Sequence, residues 1–160
     1  MTVVMRESMS KRSTILAVVL SLGLVPLLSG ATQASPRQYY GAWSKHPTRS
    51  YYYRTYYYKP YPSYSTYNYH YVVYYPNRPY YYYYNPYRRV YWGRSPVQNN
   101  GKEVYSLLAE AHRKGTLNEI KEEHFPKPGP MPQVPEAKDD VRMEVPPGDL
   151  PTGERLPKAG

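Results

Sequence analysis

Tyrosine decides what this chain can fold into. Of its 23 tyrosines, all but Tyr105 fall between Tyr39 and Tyr91, densest at Tyr51-Tyr52-Tyr53, Tyr56-Tyr57-Tyr58 and Tyr80 through Tyr84. Arg49, Arg54, Lys59, Arg78, Arg88 and Arg89 are interspersed, and this stretch contains no Asp or Glu. A phenol ring brings a large apolar surface and a hydroxyl that needs a partner once buried. From Ser35 onward, Leu, Ile, Val and Phe supply only 15 of 126 residues. That share is too low for an aliphatic core and close to that of chains that stay unfolded. Any core must be built from tyrosine rings, which points to a thin sheet with half-buried phenols.

Charge divides the chain. Ser35 to Gly101 holds nine basic and no acidic residues, a local +9, whereas Lys102 to Gly160 holds nine basic and eleven acidic residues, a local −2. Such segregation fits attraction between the halves, an anionic partner, or simple solubility of an aromatic segment. There is no cysteine, so neither a disulfide nor a thiolate metal site can form.

Residues 1–34 read as a signal peptide. Arg6, Lys11 and Arg12 form a positive start, and Ile15 to Leu28 an apolar segment interrupted by Ser21, Gly23 and Pro26. Thr32 and Ala34 are spaced for cleavage before Ser35, with Ser29 and Ala31 as a second candidate. Translation can begin at Met1 or at Met9, which opens a cleaner positive region. The alternative is an uncleaved anchor helix, the one route to a membrane this sequence offers, but the apolar run is short for a span and carries Pro26. Leu28-Ser29-Gly30 resembles the start of a lipoprotein box, but Ala31 stands where the lipidated cysteine would be.

Beyond the signal peptide, residues 35–66 lack periodicity and are interrupted by Pro36, Pro47, Pro60 and Pro62. They are expected to form a disordered, low-complexity arm rich in Tyr and Arg. Residues 67–125 are expected to form a small β-meander of about four antiparallel strands. Tyr69 to Tyr75, Tyr80 to Tyr84 and Arg89 to Arg94 are rich in aromatic and β-branched residues. Pro76-Asn77-Arg78-Pro79 and Asn85-Pro86-Tyr87-Arg88 separate them as turns. Asn99-Asn100-Gly101 suits a type I′ hairpin leading into Val104 to Leu108. That last stretch also fits a helix face, through Val104, Leu107, Leu108 and Ala111. One or two short helical turns should follow at Ala109 to Lys114, and the capping box Thr116-Leu117-Asn118-Glu119 should open another. Leu117, Ile120 and Phe125 are then placed to lie against one face of the sheet. Residues 126–160 carry nine prolines and are expected to be a disordered tail.

The chemistry on offer is stacking and cation binding. Tyrosine rings stack on one another, on guanidinium groups and on sugar faces, and arginine forks suit carboxylate, sulfate or phosphate. Tyr51, Tyr52, Tyr53, Arg54, Tyr56, Tyr57 and Tyr58 are the candidate binding residues of the arm. Trp92 is the candidate buried or ligand-stacking ring of the sheet. Catalysis finds no support: there is no nucleophile elbow, and the acid-rich clusters lie at a helix end and in the proline tail. His46, His70, His112 and His124 lack metal-ligand spacing, and no cofactor motif is present. Glu136 with Asp139-Asp140 lacks the pattern of a calcium loop. Leu150-Pro151-Thr152-Gly153 departs from a sortase signal. An aromatic, basic surface could also take single-stranded nucleic acid, but export argues against that partner.

Val90-Tyr91-Trp92-Gly93-Arg94, Tyr105-Ser106-Leu107-Leu108 and Phe125-Pro126-Lys127-Pro128-Gly129-Pro130-Met131-Pro132 resemble segments of uncharacterised tyrosine- and proline-rich exported bacterial proteins. The resemblance spans roughly Tyr67 to Leu150. It implies export and a small β module, and carries no catalytic residue. The expectation is therefore an exported, non-enzymatic structural or interaction protein of the cell envelope or extracellular matrix, in the periplasm, at the cell surface or outside. Its partners would be anionic or carbohydrate polymers, or copies of itself. The alternative is a small carbohydrate-binding module that stacks sugars on Trp92 and the Tyr80 to Tyr84 strand.

Overall fold

In the computed structural model, which describes residues 35–98 and 105–151, the tyrosine runs are strands of one sheet. The strands are β1 (Gln38–Tyr40), β2 (Ser44–Lys45), β3 (Tyr52–Tyr58), β4 (Asn68–Tyr74), β5 (Tyr80–Asn85), β6 (Val90–Pro96) and β7 (Ser106–Leu107). All pairings are antiparallel, in the order β1-β3-β4-β5-β6-β7, with β2 continuing β1 along the same edge of β3. The fold is mainly β, and its helical content among the described residues is lone 3₁₀ turns at Glu110–His112, Leu117–Glu119 and Glu122–His124. The segment expected to be a signal peptide and the expected Asn99-Asn100-Gly101 turn lie outside the described residues.

Two expectations fail here, both for residues taken to be disordered. The supposed arm contains β1, β2 and β3, so the sheet has seven strands rather than about four. β3 pairs along its whole length with β4, from Tyr52 opposite Tyr74 to Tyr58 opposite Asn68. Its tyrosines are clumped rather than alternating with polar residues, so it carries no period-two signal. A sheet covered on both faces does not require one.

The supposed tail fails in the same way. Its described part, residues 126–151, is a strap across one face of the sheet. Met131, Val134 and Met143 are buried there among Tyr56, Val72, Tyr74, Tyr81 and Tyr83. Proline keeps the strap from adding a strand, but a chain poor in backbone N–H groups is cheaper to bury on an aromatic surface. The carbonyls that remain are met by side chains. Tyr40 donates to the Glu144 carbonyl at 2.6 Å, Trp43 Nε1 to Asp149 at 3.0 Å and Gln38 Nε2 to Arg142 at 2.9 Å.

The opposite face is partly covered by residues 108–125. Leu108, Leu117, Ile120 and Phe125 pack on Val73, Tyr82 and Tyr91, which places Leu117, Ile120 and Phe125 against the sheet as expected. Ser106–Leu107 resolves the strand-or-helix ambiguity as strand. The Thr116 hydroxyl meets the Glu119 carboxylate at 2.7 Å, but the turn it opens is a single 3₁₀ turn.

Opposite charges join the two halves of the sequence. Arg37 pairs with Asp139, Arg54 with Asp149, Arg94 with Glu122 and Arg88 with Glu110. Arg54 is the most committed of these. Its side chain is 5% exposed, lies 4.5 Å from the Trp43 ring, and forks onto Asp149 at 2.9 and 3.0 Å. Asp149→Ala leaves that guanidinium buried without its acceptor. It should cost about 1–3 kcal/mol, read as a lower urea midpoint.

β5 and β6 slip by one residue between Tyr83 and Tyr84, so Trp92 is an extra residue on the β6 side. The Tyr105 ring covers the neighbouring Gly93, where an added Cβ would lie 2.1 Å from the phenol oxygen. Gly93→Ala must push that buried ring aside and should destabilise by about 1–3 kcal/mol. Gly129→Ala, which meets nothing within 4 Å, serves as the neutral control in the same denaturation series.

Candidate functional site

Strand alternation sorts the candidate residues between two faces. Tyr52, Arg54, Tyr56 and Tyr58 point toward the strap, where Tyr56 and Tyr58 are core residues and Arg54 is held by Asp149. Arg54, Tyr56 and Tyr58 build the fold and present no open ring or cation, and Tyr52 packs half-buried against the same core. Tyr51, Tyr53 and Tyr57 point to the other face and are half-buried. The Tyr80 to Tyr84 run is divided likewise: Tyr81 and Tyr83 face the strap, Tyr82 is buried beneath Phe125, and only Tyr80 and Tyr84 are partly open. A run of consecutive tyrosines in a strand cannot form one stacking platform.

What the second face does form is a ladder of rings outside the cover of residues 108–125. Tyr39 stacks on Tyr57 with ring centroids 4.8 Å apart, and Tyr67 meets Tyr39 edge-on at 5.1 Å. Tyr57 continues to Tyr69 at 6.4 Å, Tyr69 to Tyr71 at 5.6 Å and to Tyr87 at 5.3 Å, and Tyr71 to Tyr53 at 5.7 Å. Tyr39 and Tyr87 are 37% and 61% exposed, so the ladder is open to solvent at its ends. Lys59 sits 4.7 Å from the Tyr67 ring centre. At the other end the ladder runs into a cleft of about 370 Å³ bounded by Tyr53, Tyr71, Tyr84, His46 and Arg49. Lys45, Arg49, Lys59, Arg78 and Arg89 form no ion pair among the described residues. Arg113, Lys114 and Lys127 of the covering half are outside any ion pair among the described residues as well, but that half also carries carboxylates, whereas the sheet half has none to offset its cations.

Tyr39, Tyr67, Tyr69, Tyr71 and Tyr87 were not singled out from the sequence, because ring density peaks elsewhere. The alternation of β4 was a signal that could have grouped Tyr69 with Tyr71, whereas Tyr57 joins them only through the pairing of β3 with β4.

On the strap side, a wider cleft of about 710 Å³ opens beside the strap, walled by Tyr58, His70, Trp92, Asn68 and Gln133 among others. Trp92 is 8% exposed, and its ring contacts His70 at 5.1 Å, Tyr83 at 5.8 Å and Tyr105 at 5.6 Å. Of the two readings of Trp92, buried ring and stacking ring, burial is the one its position meets. His70 is 3% exposed, with Nε2 3.4 Å from the Tyr58 hydroxyl.

Burial governs the ionisation of these groups. It raises the phenols of Tyr40 and Tyr105 well above the ordinary value and that of Tyr81 to about 12, so the core rings stay neutral. It lowers His70 to about 4. No protein-family model matches this chain, and searches of curated proteins and of solved structures return no match.

A histidine that titrates near 6.5 when unfolded and near 4 when folded makes stability pH-dependent. The unfolded chain takes up that proton first, so stability is full above about 6.5 and falls as pH drops toward 4. The loss attributable to His70 should be about 3 kcal/mol. Urea midpoints measured from pH 7 to 4.5 should show the slope, and His70→Gln should flatten it.

Proposed function

We propose that this is an exported, non-enzymatic interaction protein of the cell envelope or extracellular matrix, and that its working surface is the tyrosine ladder with the cations beside it. One observation carries the reading: Tyr39, Tyr53, Tyr57, Tyr67, Tyr69, Tyr71 and Tyr87 form a continuous run of ring contacts on the face left open by residues 108–125. Rings buried on all sides would serve only the core. These are half-open, joined ring to ring across β1, β3 and β4, and bordered by cations without carboxylate partners. Such a surface suits an extended polymer with flat faces and negative charge, which meets several rings in succession. An acidic envelope polysaccharide has both properties. No cofactor or metal enters this reading.

The basic residues contribute attraction that salt screens, and the rings contribute contact that it does not. Binding of full-length protein to an immobilised acidic polysaccharide should weaken as salt rises without vanishing. Tyr57→Ala and Tyr69→Ala should each weaken it by roughly two- to tenfold. Equal binding by parent and both variants would remove the ladder from the interaction. Deleting residues 35–66 is not a usable test, because it removes β1, β2 and β3 from the sheet. Fractionation of native cells, with identification of the mature N-terminus, tests export separately.

A further inference from the structure

The cleft into which the ladder runs has a wall of phenols and basic groups. Its volume of about 370 Å³ is bounded by His46, Arg49 and the tyrosines 53, 71 and 84 among others, and no carboxylate belongs to the wall. Tyr53 and Tyr71 are also members of the ladder.

Both basic side chains offer donors. His46 sits in a loop closed by its own backbone N–H on the Tyr51 carbonyl at 3.0 Å, and the Thr48 N–H reaches His46 Nδ1 at 3.3 Å. Nδ1 therefore accepts, and the proton of the neutral ring is on Nε2. Arg49 is exposed and meets the Tyr51 phenol, which can use only part of a guanidinium with five N–H donors. The fold supplies no other acceptor. Arg37, Arg54, Arg88 and Arg94 each have a carboxylate from the covering half, whereas Arg49 has none among the described residues. Glu119 and Glu122 of the covering segment are engaged by Thr116 and Arg94. Arg49 also bounds an adjoining cleft of about 250 Å³ together with Arg78, so two cations succeed one another where the ladder ends. Arg78 is near enough to Glu122 to lower its pKa but forms no ion pair with it.

An unneutralised fork beside several phenols calls for a ligand that is both anionic and flat-faced. A neutral sugar would leave the guanidinium without an anionic acceptor, and a bare anion would leave the rings uncovered. The cleft is at the small end of ligand-site volumes, in keeping with one sugar residue. We infer that it is the subsite for a single acidic sugar, whose carboxylate or sulfate is bound by Arg49 while its ring lies against the phenols. This rests on the polysaccharide reading of the ladder and adds the place where the polymer's charge is recognised.

The test uses ligands too short to span the ladder. Full-length ¹⁵N-labelled protein is titrated with digalacturonate, its neutral dimethyl ester, a sulfated disaccharide and a dipeptide of two glutamates. The Arg49 Nε–H signal, assigned by its loss in Arg49→Gln, should move saturably with digalacturonate or the sulfated disaccharide, and the tighter of the two identifies the acid. The ester and the dipeptide should bind more weakly. Arg49→Gln should weaken binding of the preferred acid about five- to tenfold with circular dichroism unchanged, and Arg49→Lys, which keeps the charge without the fork, should fall between. Lys127→Gln removes the same charge from an exposed side chain outside both clefts and should change binding less than about twofold. The inference is overturned if neither acid moves the Arg49 signal, if the ester binds as tightly, or if Lys127→Gln loses as much as Arg49→Gln. Equal binding of the dipeptide overturns it in favour of an acidic peptide. The ladder reading fails separately, on polymer binding by Tyr57→Ala and Tyr69→Ala.

Discussion

A sheet made of tyrosine must be covered by something that is apolar and also rich in hydrogen-bond acceptors. Aliphatic side chains alone would leave the phenol O–H groups stranded, and an ordinary strand or helix keeps its carbonyls for itself. The proline-rich strap meets both needs. Met131, Val134 and Met143 fill the space between rings, while the carbonyl of Glu144 accepts from Tyr40 and that of Asp149 from Trp43 and Tyr81. Neighbouring phenols also serve one another, as where Tyr40 meets Tyr83 at 3.2 Å. The tyrosine-rich segment and the proline-rich segment are thus two halves of one core. Neither has the composition to fold alone.

Charge arranges the same partnership. The sheet half has no carboxylates and the covering half has a slight excess of them, so every ion pair made by a cation of the sheet half joins one half to the other. Arg37, Arg54 and Arg94 sit at separate places on the sheet and take Asp139, Asp149 and Glu122 respectively. The carboxylates of Asp149 and Glu122 remain largely exposed, so they keep much of their hydration while the guanidinium is covered. Arg94 is further held between the rings of Tyr80 and Phe125, at 3.9 and 4.0 Å. Such pairs act less as sources of stability than as markers of where each segment crosses the sheet.

The open regions of the sheet follow from where that cover stops. On one face, residues 108–125 reach Val73, Tyr82 and Tyr91 but leave the rings of β3 and β4 near Tyr57 and Tyr69 in the open. On the other, a cleft beside His70 and Trp92 lies along the strap at Pro132, Gln133 and Glu136. Both regions combine rings with polar groups. The ladder is bordered by positive charge, while the cleft carries both signs, through Arg88, Arg113 and Glu136.

Several elements could be read directly from residue order. Strands at Tyr69 to Tyr75, Tyr80 to Tyr84 and Arg89 to Arg94 follow from aromatic and β-branched content bounded by proline turns. The placement of Leu117, Ile120 and Phe125 followed from their spacing. Pairing of β3 and docking of the strap were not legible. Clumped tyrosines carry no period, and proline content excludes regular structure without excluding burial. The chain by itself therefore determined the materials: phenols, guanidinium groups, proline and a division of charge. Only the tertiary structure decided which phenols became core and which became surface, because in a strand that choice depends on the face each residue takes and on what lies over it, and neither is a property of the residue.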